Sequence, residues 1–276
     1  MVAVSVEALL DAPCPRVGLT ITGLGIGDSV VSVWRTADGE RNPVRGARRI
    51  LAVDSDYLID YDTPLGRPVT YEVEVISGPT GAARVTSSSV TVTSDSAWIM
   101  DPLVPQSAVP ITRSLTALGE PTFVAAAMQK LDYAMDSQVF KILGSDKPMA
   151  LFGRRAAATG VDLSMITDAA EQNTRLRSLF ASSGVLLVRL PVSWADFVPG
   201  AWFALVASVS EQPAGAPNGD PLTVWSLSAD TVAAPTLKVL TATFTYGDVA
   251  LLFATYQQKQ DATTGSYLDD LKHPLG

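Results

Sequence analysis

Hydrophobic and polar positions in this chain alternate more often than they recur at helical spacing. Val2, Val4 and Val6 are separated by small or polar residues, Leu19 and Ile21 follow the same rule, and Val31 and Val33 lead into Trp34. Val69, Tyr71, Val73 and Val75 continue the pattern, as does the run from Val85 to Val92. A period of two places all the apolar side chains on one face of a strand. Turn residues stand between the runs. In Ala37-Asp38-Gly39-Glu40 the Asp-Gly pair suits a tight hairpin. About seven short strands punctuated in this way predict a β-sandwich over residues 1–95.

The stretch from Leu151 to Trp194 reads differently, as strand, helix and strand. Val161, Leu163 and Met165 alternate with Asp162, Ser164 and Ile166, which predicts a half-buried strand. Thr167 and Asp168 offer N-cap side chains, and Glu171 completes a capping box with Asp168. Leu176, Leu179 and Phe180 then share one helical face, and Gly184 is expected to end the helix in the left-handed conformation. Val185 to Leu190 is almost continuously apolar, as a strand covered on both faces would be.

Elsewhere the pattern predicts less. Residues 96–124 read as a linker or connecting arm, because Trp98 to Pro105 is punctuated by prolines and the residue before a proline avoids the helical region. A short helix is expected over Ala125–Tyr133. Val139–Ile142 and Met149–Phe152 are expected to pair across the turn between them. Phe197–Ser210 reads as a turn and a further strand, Val224–Leu227 and Val239–Thr245 as the next strands, Pro213–Pro221 as a loop and Asp248–Gln258 as an amphipathic helix. The last dozen residues read as a partly ordered tail.

Composition narrows the function classes. Of 276 residues 47% are hydrophobic and only 17% charged, which describes a folded chain long enough for two cores. A net charge of −8 argues against sequence-specific nucleic-acid binding, which needs a basic face to displace counterions. No run approaches the roughly 18–20 apolar residues of a membrane span, and the start of the chain lacks signal-peptide features; no membrane anchor is expected.

Candidate chemistry is sparse. His273 is the only histidine and lies three residues from the C-terminus, a poor place to hold a catalytic base. Cys14 is the only cysteine, so neither an internal disulfide nor a cysteine zinc site is available, and between Pro13 and Pro15 it reads as a small turn residue. Asp54, Asp56, Asp60 and Asp62 crowd one segment but lack the glycine and terminal glutamate of a calcium loop, so turn capping is the preferred reading. Asp269 and Asp270 read as solvated tail charge. Gly23-Leu-Gly-Ile-Gly27 has no phosphate-binding lysine and reads as a turn. Arg45, Arg48 and Arg49 read as a solvated loop. Trp34, Trp98, Trp194, Trp202 and Trp225 are scattered in apolar contexts, as core or interface anchors are. No catalytic residue, metal ligand or cofactor is assigned, and the chain is not expected to be an enzyme; two carboxylates facing each other across a groove would be the exception to look for.

Several of these motifs carry a resemblance. The Gly153-Arg154-Arg155 turn, the helix-to-strand run Leu176–Pro191 and the segment Thr245–Gln257 are similar to the tail-tube-like domain of siphophage distal tail and minor tail proteins, those of phages of actinobacteria above all. Trp98, Asp101 and Pro102 resemble the junction that follows a sandwich domain in such proteins, and Asp60–Tyr71 resembles the corner before a core strand of fibronectin type III modules. The resemblance spans roughly residues 96–276. It implies a mainly β fold with few helices: a fibronectin III-like β-sandwich (1–95), the linker (96–124), and a tail-tube-like split β-barrel with a flanking helix (125–276). It also implies a structural virion protein at the distal end of a phage tail, made and assembled in the host cytoplasm. Its partners would be copies of itself in a ring, a hexamer, together with the tail tube protein and tail-tip or baseplate proteins. Arg154 and Arg155 would lie at the oligomer interface or the lumen, and Trp98, Asp101 and Pro102 at the domain junction. The sandwich comes first here, the reverse of many distal tail proteins, so the resemblance covers both the ring itself and an adjacent tip component. The alternative is a tail module that binds host-surface carbohydrate through the sandwich.

Overall fold

The fold is known from a computed structural model, which describes residues 1–113, 119–143, 146–194, 199–214, 222–236 and, apart from 251 and 254, residues 249–262. It is mainly β, with antiparallel sheets and few helices. The chain divides into two compact units. Unit 1 holds residues 1–108, 189–201 and 235–276, and unit 2 holds 109–188 and 202–234. The predicted strand at Val239–Thr245, His273, Asp269, Asp270, the C-terminal tail and most of the Pro213–Pro221 loop lie outside the described residues.

Alternation builds unit 1 as the pattern predicts. One sheet has the order β1 (Ala3–Leu9), β2 (Arg16–Thr22), β6 (Asp56–Asp60). The other has the order β4 (Glu40–Pro43), β3 (Asp28–Ala37), β7 (Pro68–Ser77), β8 (Ala83–Thr86), with β5 (Ile50–Val53) on β3 and β9 (Val90–Thr91) on β7. Val17, Leu19 and Ile21 from the first sheet share one core with Val31, Val33, Tyr71 and Val73 from the second, which makes the unit a sandwich. The β3–β4 hairpin turns through Asp38 and Gly39, both at positive φ, as a two-residue turn matched to strand twist requires.

The expected connecting arm is instead largely sheet. β10 (Ala97–Asp101) and β11 (Val104–Ile111) are neighbouring strands, and the chain leaves unit 1 within β11. The prolines that kept this stretch out of the helical region kept it extended, and pairing did the rest.

The strands of unit 2's sheet run β17 (Val185–Arg189), β18 (Ala201–Pro213), β19 (Thr223–Val232), β16 (Met165–Thr167), β12 (Thr122–Phe123), within a larger sheet that also includes β10 and β11. The alternation of Val161, Leu163 and Met165 holds in burial, but the stretch splits into β15 (Val161–Asp162) and β16, both paired with β19. The segment 125–128 forms turns rather than a helix, and Met128 takes a φ of 57° that no helix continues through.

Helix α1 (Ala170–Ser182) follows β16 and buries Leu176 and Leu179 as predicted, while Phe180 packs half-buried against Trp225 with ring centroids 5.7 Å apart. Its ends differ from expectation. The partner of Asp168 is Gln172, not Glu171: the Asp168 N–H donates to Gln172 Oε1 at 3.0 Å, and Gln172 Nε2 donates to Asp168 Oδ1 at 2.9 Å. With Ala169 as N-cap residue, the capping pair is displaced by one position. The helix ends at Ser183 in extended geometry, and Gly184 is not left-handed, because the chain enters β17 directly.

Asn173, like Gln172, is a buried polar residue that the periodicity missed. Its Nδ2 donates to Thr223 Oγ1 at 3.1 Å, and Trp225 Nε1 donates to Thr167 Oγ1 at 3.1 Å and to Asn173 Oδ1 at 3.2 Å. These bonds tie α1 to β16 and β19. Asn173→Ala is expected to lower the unfolding free energy by about 1–3 kcal/mol, since it strands buried donors; a urea melt followed by circular dichroism checks this, and an unchanged midpoint would remove the network from any stabilising role. Within the predicted Asp248–Gln258, residues 249, 250 and 252 are helical, and a further helix, α2 (Tyr256–Ala262), begins at its C-terminal end.

Candidate assembly surface

The candidate site is a β-hairpin of unit 2 that forms a two-stranded sheet of its own. Among the described residues, strands β13 (Met135–Phe140) and β14 (Met149–Arg155) pair only with each other, in a register that sets Phe140 opposite Met149, Val139 opposite Ala150 and Ser137 opposite Phe152. The expected pairing of Val139–Ile142 with Met149–Phe152 is therefore present in its Val139–Phe140 half. Every described residue from Asp132 to Ala157 is exposed. Val139 is 64% exposed, Leu151 59% and Phe152 74%.

Directly opposed residues share a face, so one face carries Phe140, Met149 and Leu151, and the other carries Val139, Ala150 and Phe152. A strand pair that lies against its own core is apolar on one face only. This one is apolar on both. A lone two-stranded ribbon is marginally stable in water, and uncovered apolar strands with free edges are templates for pairing.

Arg154 and Arg155 lie in this element but not at a turn. They are the last residues of β14, at the foot of the hairpin, where the register shifts and Met135 pairs with Arg155. Both are exposed, and Arg155 Nη1 donates to the Tyr133 carbonyl at 3.3 Å.

Trp98, Asp101 and Pro102 sit elsewhere, in unit 1. Trp98 is half-buried on β10, with Nε1 donating to Ser94 Oγ at 3.0 Å. Asp101 closes the turn from β10 to β11 by accepting the Leu103 N–H at 2.7 Å, and the Pro102 carbonyl accepts Arg45 Nη1 at 2.5 Å. The three residues thus belong to the packing of unit 1, not to the exposed hairpin.

Arg45 leads into a buried charge network that sequence reasoning read as solvent-facing. Its Nη2 and Nε meet Asp62 at 2.7 and 2.9 Å, while Arg35 Nη1 meets both oxygens of Asp60 at 2.8 and 3.0 Å. Asp60 also accepts the Tyr71 hydroxyl at 2.9 Å and the Asp62 N–H at 3.0 Å. Burial raises the Asp60 carboxyl, but the Arg35 charge and these hydrogen bonds outweigh it and hold the group below the usual carboxylate range. Burial pushes Tyr71 up, and the Asp60 charge adds to it. Asp56 caps the Tyr57 N–H at 2.8 Å, and Asp54 turns the chain at φ 58°. The four aspartates therefore split between structural tasks, and no group of three metal-ligating side chains occurs among the described residues.

Cys14, expected as a small turn residue, is buried. Its thiol donates to Met100 Sδ at 3.7 Å, and burial pushes its pKa up. Trp34 is covered by Arg41, whose guanidinium carbon lies 3.9 Å from the ring centre, with Arg48 at 5.8 Å. Gly23, Gly25 and Gly27 form the expected turn, all at positive φ, and a Cβ on Gly23 would lie 2.3 Å from the Met1 carbonyl oxygen. No helix among the described residues is long and apolar enough to cross a membrane.

No protein-family model matches the chain, and no curated protein matches it.

Proposed function

We propose that the chain is a structural, self-assembling virion protein of a phage tail, a distal tail or minor tail component that joins the tail tube to the baseplate or tip. The observation that carries the assembly half of this reading is the β13–β14 hairpin, apolar on both faces and, among the described residues, paired with no other strand. The phage half rests on the motif resemblance at Gly153–Arg155, Leu176–Pro191 and Thr245–Gln257. In this reading the second unit belongs to a split barrel and copies close into a ring of six, with tail tube and tip proteins as neighbours and no catalytic or cofactor chemistry.

Carbohydrate recognition by the sandwich would need exposed, grouped aromatic faces. Among the described residues Trp34 lies under Arg41, Trp98 is half-buried, and Trp202 and Trp225 are buried in unit 2, so the assembly reading is preferred.

Light scattering of the purified chain across a concentration series tests the proposal. A discrete oligomer is expected, and the double variant Leu151→Glu, Phe152→Glu is expected to drop to monomer mass with an unchanged circular dichroism spectrum. Wild type that stays monomeric at every concentration, with or without tail tube protein added, would overturn the assembly reading.

A further inference from the structure

We infer that the β13–β14 hairpin of one copy seats on the outer face of the β5–β3–β7 sheet of a second copy. This inference rests on the self-assembly reading and names its docking surface.

The hairpin exposes nine large apolar side chains between Tyr133 and Phe152, at 40–103% of their full accessibility. At on the order of 100 Å² each, they offer about the 800 Å² per partner that a stable interface buries. A surface of that size and character needs a partner with apolar area of its own.

Unit 1 presents one. Leu51 on β5 is 71% exposed, Val53 is 53% exposed and Ile76 on β7 is 37% exposed. Their register makes them neighbours: Leu51 pairs with Val30, Val53 with Asp28, and Val30 in turn with Ser77 beside Ile76. The inner face of the same strands is the sandwich core, through Val31, Ile50, Ala52 and Val75. These apolar residues therefore stand on a sheet face that its own core does not cover, where strand alternation would place polar side chains.

Charge favours the same pairing. From Met135 to Arg155 the chain carries Lys141, Lys147, Arg154 and Arg155 against Asp136 and Asp146, a basic segment in a protein of net charge −8. The apolar patch is edged by Asp28 and Asp54, both exposed and in no ion pair with a described residue. A basic ribbon against an acidic rim steers the encounter and suppresses hairpin-to-hairpin pairing. Because ribbon and patch are different surfaces, the contact is head-to-tail, and such contacts close into rings or extend into filaments.

Complementation tests this directly. A patch variant (L51E with V53E) and a hairpin variant (L151E with F152E) are each measured alone and then mixed in equal amounts, by light scattering at a concentration where wild type is oligomeric. Near-ultraviolet circular dichroism of each variant is required to match wild type, since all four side chains are exposed. Each variant alone is expected at monomer mass. The mixture is expected at twice that mass, because one intact hairpin meets one intact patch. If the patch variant assembles like wild type while the hairpin variant does not, the self-assembly reading stands and the docking surface named here is wrong. Two monomeric variants whose mixture also stays monomeric would likewise overturn the docking surface, and a monomeric wild type would overturn both.

Discussion

Asp60→Asn is expected to lower the unfolding free energy of the sandwich by about 3–5 kcal/mol, the usual cost of removing one partner from a buried ion pair. The Asp60 side chain is 1% exposed and that of Arg35 14%. Asparagine keeps one acceptor oxygen but loses the charge, so the Arg35 guanidinium loses its ion-pair partner while still largely shielded from water. Tyr71 and the Asp62 N–H then compete for the remaining oxygen. Replacing Arg35 and Asp60 together by apolar residues of similar size is expected to cost less than either single change, because no charge is then left unpaired.

The same carboxylate sets an acid limit. Its folded pKa is depressed below its unfolded value, so its contribution is complete above the ordinary aspartate range near 4 and is lost as pH falls through the lower folded value. Wild type is expected to lose stability steeply below about pH 4, and D60N to show a flatter acid limb. Urea melts at pH 7 and pH 3 supply both readings. A D60N protein within about 0.5 kcal/mol of wild type at pH 7, the usual range for an inert surface change, would show the network to be incidental.

Arg189→Ala is expected to have a comparable effect, about 3 kcal/mol or more, for a different reason. Arg189 is wholly buried in unit 1, where Nε donates to the Thr63 carbonyl at 2.8 Å and Nη1 to the Pro15 carbonyl at 2.5 Å. Burial lowers its pKa, opposed in part by Cys14, Asp60 and Asp62. Truncation strands two buried carbonyls and leaves a cavity the length of the side chain. Arg189→Met refills most of that volume and removes a buried charge, so it should recover part of the loss; Arg189→Lys keeps the charge but not the rigid fork, and should not. The order Met above Lys in a thermal melt supports this account. Equal stability for Met, Lys and wild type would mean that the fork to Thr63 and Pro15 stabilises nothing.

Arg189 also shows where sequence reading stops. It lies in a run, Val185 to Leu190, whose apolar character correctly predicts a strand covered on both faces. Nothing in that run says that a charged side chain goes inside. Its partners lie 126 and 174 residues away, and no local pattern encodes a meeting at that separation. Asn173 is the same case on a helix: the periodicity ranked Leu176, Leu179 and Phe180 as the buried face, and the bonds to Thr223 and Trp225 drew in a polar neighbour.

The exposed hairpin reverses the error. Val139–Phe140 and Met149–Phe152 read as ordinary strands, and their pairing was legible because a turn of small and charged residues separates them. Apolar residues at successive positions normally signal burial on both sides. Only the tertiary structure shows that the ribbon stands free of its own sheet.

By itself, then, the sequence determined what depends on near neighbours: the mainly β character, the alternating core of the sandwich, the Asp38-Gly39 hairpin, the helix α1 and the strand after it. Side-chain period and turn chemistry act over a few residues, and both can be read directly. Tertiary structure alone decided which charges are buried, which residue caps α1, and which apolar strands remain uncovered. Those outcomes depend on which distant segments fill the space around a side chain, and that is settled only when the whole chain has packed.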